Sequence, residues 1–208
     1  MVEILSFVAA VVVVSLSGVL MPGPVTAVTV AQGSHNPHAG AWVAIGHAVV
    51  EVPIIALLYF GAGAVFQLLP VKVGLGFLGS LVLLWMGAGM LLNFNQAELK
   101  DAGSEARSPF VAGMALSLAN PYFFLWWAIM GAVLVQKSFA FGVYGFILLV
   151  AVHWSCDLGW YYFLSVLSFS GSRFFGRRLQ QVIFIICGLF LLYFAGYFAS
   201  AAAFSLVI

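Results

Sequence analysis

The tripeptide Pro22-Gly23-Pro24 lies inside an apolar run that opens at Ile4 and turns polar only at Gln32. A bilayer crossing needs about 20 predominantly apolar residues. This run is long enough, yet it contains the two residue types least compatible with a continuous helix. The helix has to break at membrane depth. Backbone groups freed there are tolerated only against protein or a water-filled cavity, and in carriers such breaks mark the substrate site. The tripeptide therefore predicts a binding site or pathway inside a membrane protein.

Composition supports that setting. Hydrophobic residues make up 64% of the chain and charged residues 6%, against about 25% charged in a soluble domain, and the mean hydropathy is +1.17. Seven Lys+Arg face six Asp+Glu, a formal charge of +1, so there is no basic surface for nucleic acid and no acidic tail for a partner. Met1-Val2-Glu3 lacks the positive n-region of a secretory signal, which predicts a retained first span. Cys156 and Cys187 both fall in apolar segments and read as small buried hydrophobes, with no thiol pair beside a helix break.

Polar or turn-rich boundaries mark six apolar segments, about 4–31, 39–69, 73–93, 110–135, 140–168 and 180–206. The stretch Asn95 to Pro109, with Glu98, Lys100, Asp101, Glu105 and Arg107, has the composition of a soluble loop. It divides the chain into a first three-span half (1–94), a linker (95–109) and a second three-span half (110–208). If the loops after spans one, three and five share a side, that side holds Lys100, Arg107, Arg173, Arg177 and Arg178, and the other only Lys72 and Lys137. The basic side is expected in the cytoplasm, which puts both termini outside.

The halves look related. His47-x-x-x-Glu51 aligns with His153-x-x-x-Asp157 at an offset of 106 residues, and Leu83-Leu84-Trp85 with Leu191-Leu192-Tyr193 at 108. Pro22-Gly23-Pro24 then falls roughly opposite Asn120-Pro121. A second copy of an odd-span unit enters the membrane upside down, so the expected fold is all-α, six transmembrane helices as two inverted three-helix repeats with broken first and fourth helices.

Two constellations carry chemistry. At the first break, Pro24 suits the first turn of a new helix and Gly23 permits backbone angles other residues resist. The half-helix from Val25 would aim free N–H groups at an anionic group such as a carboxylate, with Thr26 adding a hydroxyl. At the second break the Asn120 side chain can cap the helix that Pro121 starts. The second constellation is His47 with Glu51 and His153 with Asp157, each pair one helical turn apart on one face. Ionisable groups inside spans usually face a cavity or one another, and a desolvated carboxylate beside a histidine suits proton exchange. The same four side chains also suit a divalent metal. No H-E-x-x-H, G-x-S-x-G or Walker sequence occurs, so nothing positive points to an enzyme or a cofactor. The tryptophans and phenylalanines read as lipid-facing or packing bulk, the third-span glycines as sites of close helix approach, and His35 and His38 as loop residues.

Leu20-Met21-Pro22-Gly23-Pro24, Gln32-Gly33, Ala39-Gly40-Ala41, the stretch from Gly46-His47 to Glu51, Asn120-Pro121 and Asp157-Leu158-Gly159-Trp160-Tyr161 together resemble the lysine-exporter (LysE/RhtB) superfamily over nearly the whole chain. The resemblance implies a small six-span exporter of amino acids or related metabolites in the cytoplasmic membrane, driven by the proton gradient and often homodimeric. In that reading Pro22, Gly23, Pro24, Thr26, Asn120 and Pro121 shape the substrate site, while His47, Glu51, His153 and Asp157 handle the proton or a cationic group. The rivals are a divalent metal-cation exporter using those four side chains as ligands and, less favoured, an intramembrane enzyme.

Overall fold

A computed structural model of the chain describes residues 2–62, 68–92, 108–118, 120–171 and 176–204. All regular structure among them is helical. The first apolar run is two helices, α1 (Val2–Val19) and α2 (Pro24–Gly33), with Pro24 opening the second. Next come α3 (Ala39–Leu57), which holds Pro53 and passes into a π-helical turn at Leu58–Ala62, and α4 (Leu69–Leu92). The fourth apolar segment is likewise broken, into α5 (Pro109–Leu118) and α6 (Pro121–Trp126). A π-helical turn at Trp127–Gly131 joins α6 to α7 (Ala132–Ser138), and α8 (Gly142–Gly171) and α9 (Gly176–Phe204) complete the order.

Val2–Val19, Ala39–Gly61, Leu69–Gly89 and the run Tyr122–Gly171 are long and apolar enough to cross a membrane. That last run turns at Gly142, whose φ of 57° and ψ of −142° suit glycine, so α7 and α8 pack against each other. Many large apolar side chains point outward, Trp85 and Tyr144 among them, as lipid contact requires. The linker 95–109 lies outside the described residues except for Ser108 and Pro109, as do Lys100, Arg107, Arg173 and the side chains of Lys72, Arg177 and Cys187. Cys156 is free and half-buried, less enclosed than its apolar segment suggests.

Two reciprocal pairings hold the bundle together: α1 lies on α8, and α5 on α3, while α4 pairs with α9 and α2 fits against α8, α3 and α5. The α3–α5 contact is a close backbone approach. A methyl group on Gly46 would run into the Phe110 carbonyl, and one on Gly113 into that of Val43. Gly76 and Gly87 of α4 pack on Ala202, Gly188 and Leu191 of α9, so these third-span glycines serve contact within the protomer.

On α8 the buried side recurs at Gly145, Leu149, His153, Asp157, Tyr161 and Ser165. A spacing of four exceeds the 3.6-residue turn, so this stripe winds around the helix. It meets α7 at Gly145, α1 at His153, α3 at Tyr161 and α2 at Ser165. The winding brings His153 and Asp157 to the centre of the molecule.

Candidate functional site

A cavity of about 70 Å³ opens where the two helix breaks meet the two His/carboxylate pairs. By the space a water molecule needs, this admits roughly five waters, or a small organic molecule in their place. Pro22, Gly23, Thr26 and Asn120 line it from the breaks, and His47, Glu51, His153 and Asp157 from α3 and α8. Its walls are aromatic and aliphatic, with Trp126, Phe123, Tyr161, Leu83 and Leu191 among them. Pro24 is buried at the start of α2, and Pro121 holds the corresponding first position of α6.

The breaks differ in construction. Asn120 Oδ1 accepts from the Tyr122 amide at 3.1 Å, satisfying one orphan donor of α6 as an N-cap should. Gly23 caps α2 with no side-chain hydrogen bond, so helix geometry leaves the Val25 and Thr26 amides without an i−4 carbonyl. The expectation that Gly23 supplies a special backbone angle is corrected. Its φ of −162° and ψ of −172° are extended and open to any residue, and what glycine contributes is space, since nothing lies within 4 Å of where a Cβ would stand. The Thr26 hydroxyl, expected to face a ligand, donates to the Met21 carbonyl at 3.2 Å and braces the break.

Glu51 is the hub of the second constellation. Its Oε1 accepts from His153 Nε2 at 2.9 Å and from Trp127 Nε1 at 3.2 Å, and meets His47 Nε2 at 3.1 Å. His153 Nε2 also lies 3.4 Å from Asp157 Oδ2. All four ionisable side chains are buried, Glu51 to 1% exposure and Asp157 to 2%. Isolated charges at that depth would each cost several kcal/mol, so they occur in mutual contact. Each imidazole is held at its far nitrogen by a serine from the other half of the chain: His47 Nδ1 meets Ser117 Oγ at 2.5 Å, and His153 Nδ1 meets Ser15 Oγ at 2.6 Å. Aromatic rings fix the imidazole planes, Phe123 beside His47 and Trp126 and Trp127 beside His153.

Counting protons shows what this arrangement can do. Ser117 has one hydroxyl proton and donates it to the Gly113 carbonyl at 2.6 Å, so His47 Nδ1 must donate to Ser117. A neutral imidazole has only one N–H. The His47 Nε2 to Glu51 Oε1 contact therefore needs a second proton, either on the imidazole or on the carboxyl. Around His153 the Ser15 hydroxyl can donate to Nδ1, leaving Nε2–H to donate to Glu51. A nitrogen of His47 and carboxylate oxygens of Glu51 and Asp157 lie within 4.8 Å of one another, a donor set that could hold a divalent cation, but both Nε2 atoms are turned onto Glu51.

Three buried polar atoms of cavity-lining residues have no hydrogen-bond partner: Glu51 Oε2, Asp157 Oδ2 and Trp126 Nε1. Orphans are rare in buried positions. Here they are two acceptors and one donor.

The structure brings the two His/carboxylate pairs into one cluster and sets it beside both breaks. Sequence reasoning missed Ser15, Ser117 and Trp127. The serines carry a faint signal, since each lies within five residues of a helix break, although Ser15 shares its helix with Ser6 and Ser17. Trp126 and Trp127, expected as lipid-facing or packing bulk, are buried against His153, and Tyr161 is buried against His47. Trp127 is turned inward at the π-helical turn, a distortion common at functional sites.

These features define a multi-pass helical membrane protein with an internal polar site at interrupted helices. The family model of the LysE type translocators matches residues 16–202, and the chain belongs to that family of membrane efflux transporters. No curated protein and no solved structure matches it.

Proposed function

We propose that this protein exports an amino acid or a closely related small metabolite across the cytoplasmic membrane by alternating access, in exchange for protons. The observation that carries the reading is the pattern of orphaned atoms around the cavity: two carboxylate oxygens complement an ammonium group, and the Trp126 indole N–H with the uncapped start of α2 complements a carboxylate. A small zwitterion presents both groups. The aromatic and aliphatic walls receive the remainder of the molecule, and Asn120 and Pro121 shape the opposite rim.

The chain in this reading makes six crossings as two inverted three-helix halves, 1–94 and 110–208. The crossed serine–histidine bonds support it, because Ser15 reaches His153 exactly as an exchange of halves would relate Ser117 to His47. Leu83 and Leu191 are both buried, and Trp85 and Tyr193 both exposed, as a common ancestry of the third and sixth spans requires. His47, Glu51, His153 and Asp157 carry the coupling proton.

A thermal-shift screen of the purified protein against amino acids and divalent metals tests the substrate class, since a ligand that favours the folded form raises its Tm. Stabilisation by one or a few amino acids is expected. A response to a divalent metal alone would replace this reading with metal export.

A further inference from the structure

Glu51 Oε2 and Asp157 Oδ2 are the two acceptors left without a donor, on side chains that line one cavity and approach each other closely. Among the described lining residues there is no Lys or Arg, and the basic nitrogen beside Asp157 Oδ2, His153 Nε2 at 3.4 Å, is shared with Glu51 Oε1 at 2.9 Å. The titratable groups that face them are His47 of α3, His153 and Tyr161 of α8, and Tyr122 of α6, while α1, α2, α4, α5 and α9 present no titratable side chain to the cavity. Both histidines place Nε2 closest to Glu51 Oε1, and His153 Nε2 reaches Asp157 Oδ2 only at a long 3.4 Å, so Glu51 Oε2 and Asp157 Oδ2 can each still accept a hydrogen bond.

We infer that Glu51 and Asp157 form a single exchange site that accepts either one proton or the ammonium group of the substrate, and never both. This rests on the export reading above and specifies how its two ions are linked. In the resting state a proton bridges or occupies the carboxyl pair. When substrate enters, its ammonium N–H groups donate to the same oxygens, and the displaced proton leaves through the cavity to water. At the carboxyl pair one positive group replaces another, while the carboxylate of the zwitterion is answered apart from it, by Trp126 Nε1 and the start of α2. An empty pair would leave two carboxylates facing each other in a low dielectric with only the His47 and His153 imidazoles to offset them, the costliest of the three states. The carrier therefore changes orientation only with a proton or a substrate aboard, which makes the exchange one for one. It also makes the cationic amine the obligatory feature of the substrate.

The test uses full-length protein in lipid nanodiscs, in weakly buffered solution with a pH indicator. The probes are the protein amino acids, the primary amines that lack their carboxylate, and the N-acetyl amino acids that keep the carboxylate but lack the ammonium group. Each amino acid or amine that binds is expected to release about one proton, with affinity falling about tenfold per pH unit on the acid side, and the N-acetyl series is expected not to bind. In the double variant Glu51→Gln/Asp157→Asn, proton release should vanish and amine affinity drop at least tenfold. The N-acetyl comparison requires no variant to fold. Binding without proton release, or N-acetyl ligands binding as well as free amines, overturns the shared site but leaves amino-acid export standing. If no amino acid or amine binds, both readings fall.

Discussion

Trp127 donates from a buried π-helical turn to the oxygen of Glu51 that already meets two imidazoles. Trp127→Phe keeps most of the bulk and removes the N–H. Hydrogen bonds to charged groups contribute about 1.5–3 kcal/mol, and one pH unit corresponds to about 1.4 kcal/mol. Loss of this donor favours the protonated carboxyl, so the pH midpoint of amino-acid exchange in proteoliposomes should move upward by about one unit, and an unchanged midpoint would remove Trp127 from the proton site. Gly23 makes a different kind of contribution. Its backbone is ordinary and its missing side chain leaves open space at the cavity rim. Gly23→Leu should therefore preserve expression and Tm while abolishing transport, because the new side chain fills the volume the substrate needs. Transport at the wild-type rate would show that the first break is only a kink.

The elements depend on crossed contacts. α3 and α5 touch backbone to backbone through Gly46 and Gly113, and this approach lets Ser117 reach His47. Gly113→Ala places a methyl against the Val43 carbonyl. Overpacking of this kind costs about 1–3 kcal/mol, so the variant should unfold at lower temperature and should also disturb the His47 hydrogen bond. Tm and the pH profile of exchange measure the two effects on one sample. Gly76→Ala is the contrast, because its methyl meets the Ala202 Cβ of α9, which has no rotamer to yield, and lies away from the His47 contact: its Tm should also fall while its pH profile stays unchanged.

At the scale of the whole molecule the His/carboxylate cluster draws on both halves: Glu51 comes from the first, and His153, Asp157 and Trp127 from the second. Relative motion of the halves would act directly on that cluster. Glu51→Gln or Asp157→Asn removes one charge from the pair and makes an empty site less costly, so either variant should exchange substrate across reconstituted membranes yet fail to accumulate it against an imposed pH gradient. Gradient-driven accumulation at wild-type level in both variants would return the cluster to a structural role. Orientation rests on the five-to-two distribution of basic residues. A cysteine introduced as Ala102→Cys, with Cys156 and Cys187 replaced, should react with impermeant reagents only from the cytoplasmic side, and labelling from outside intact cells would reverse the topology.

The sequence by itself determined the membrane setting, the two helix breaks and the pairing of each histidine with a carboxylate one turn away. These depend on local rules: apolar length, the missing N–H and fixed φ of proline, and a periodicity of four on a helix face. It also carries the matching His-x-x-x-Glu and His-x-x-x-Asp spacings on which the expectation of related halves rests. Tertiary structure alone decided that Glu51 would take the hydrogen bonds of both histidines while Asp157 keeps an unpartnered oxygen. It also decided that Ser15 and Ser117 would set the imidazoles and that Trp127 would turn inward. Ser15 lies 138 residues from His153, and Trp127 lies 76 from Glu51. No local propensity links residues so far apart; their contacts follow from the winding buried stripe of α8 and from the close approach that glycine permits between α3 and α5.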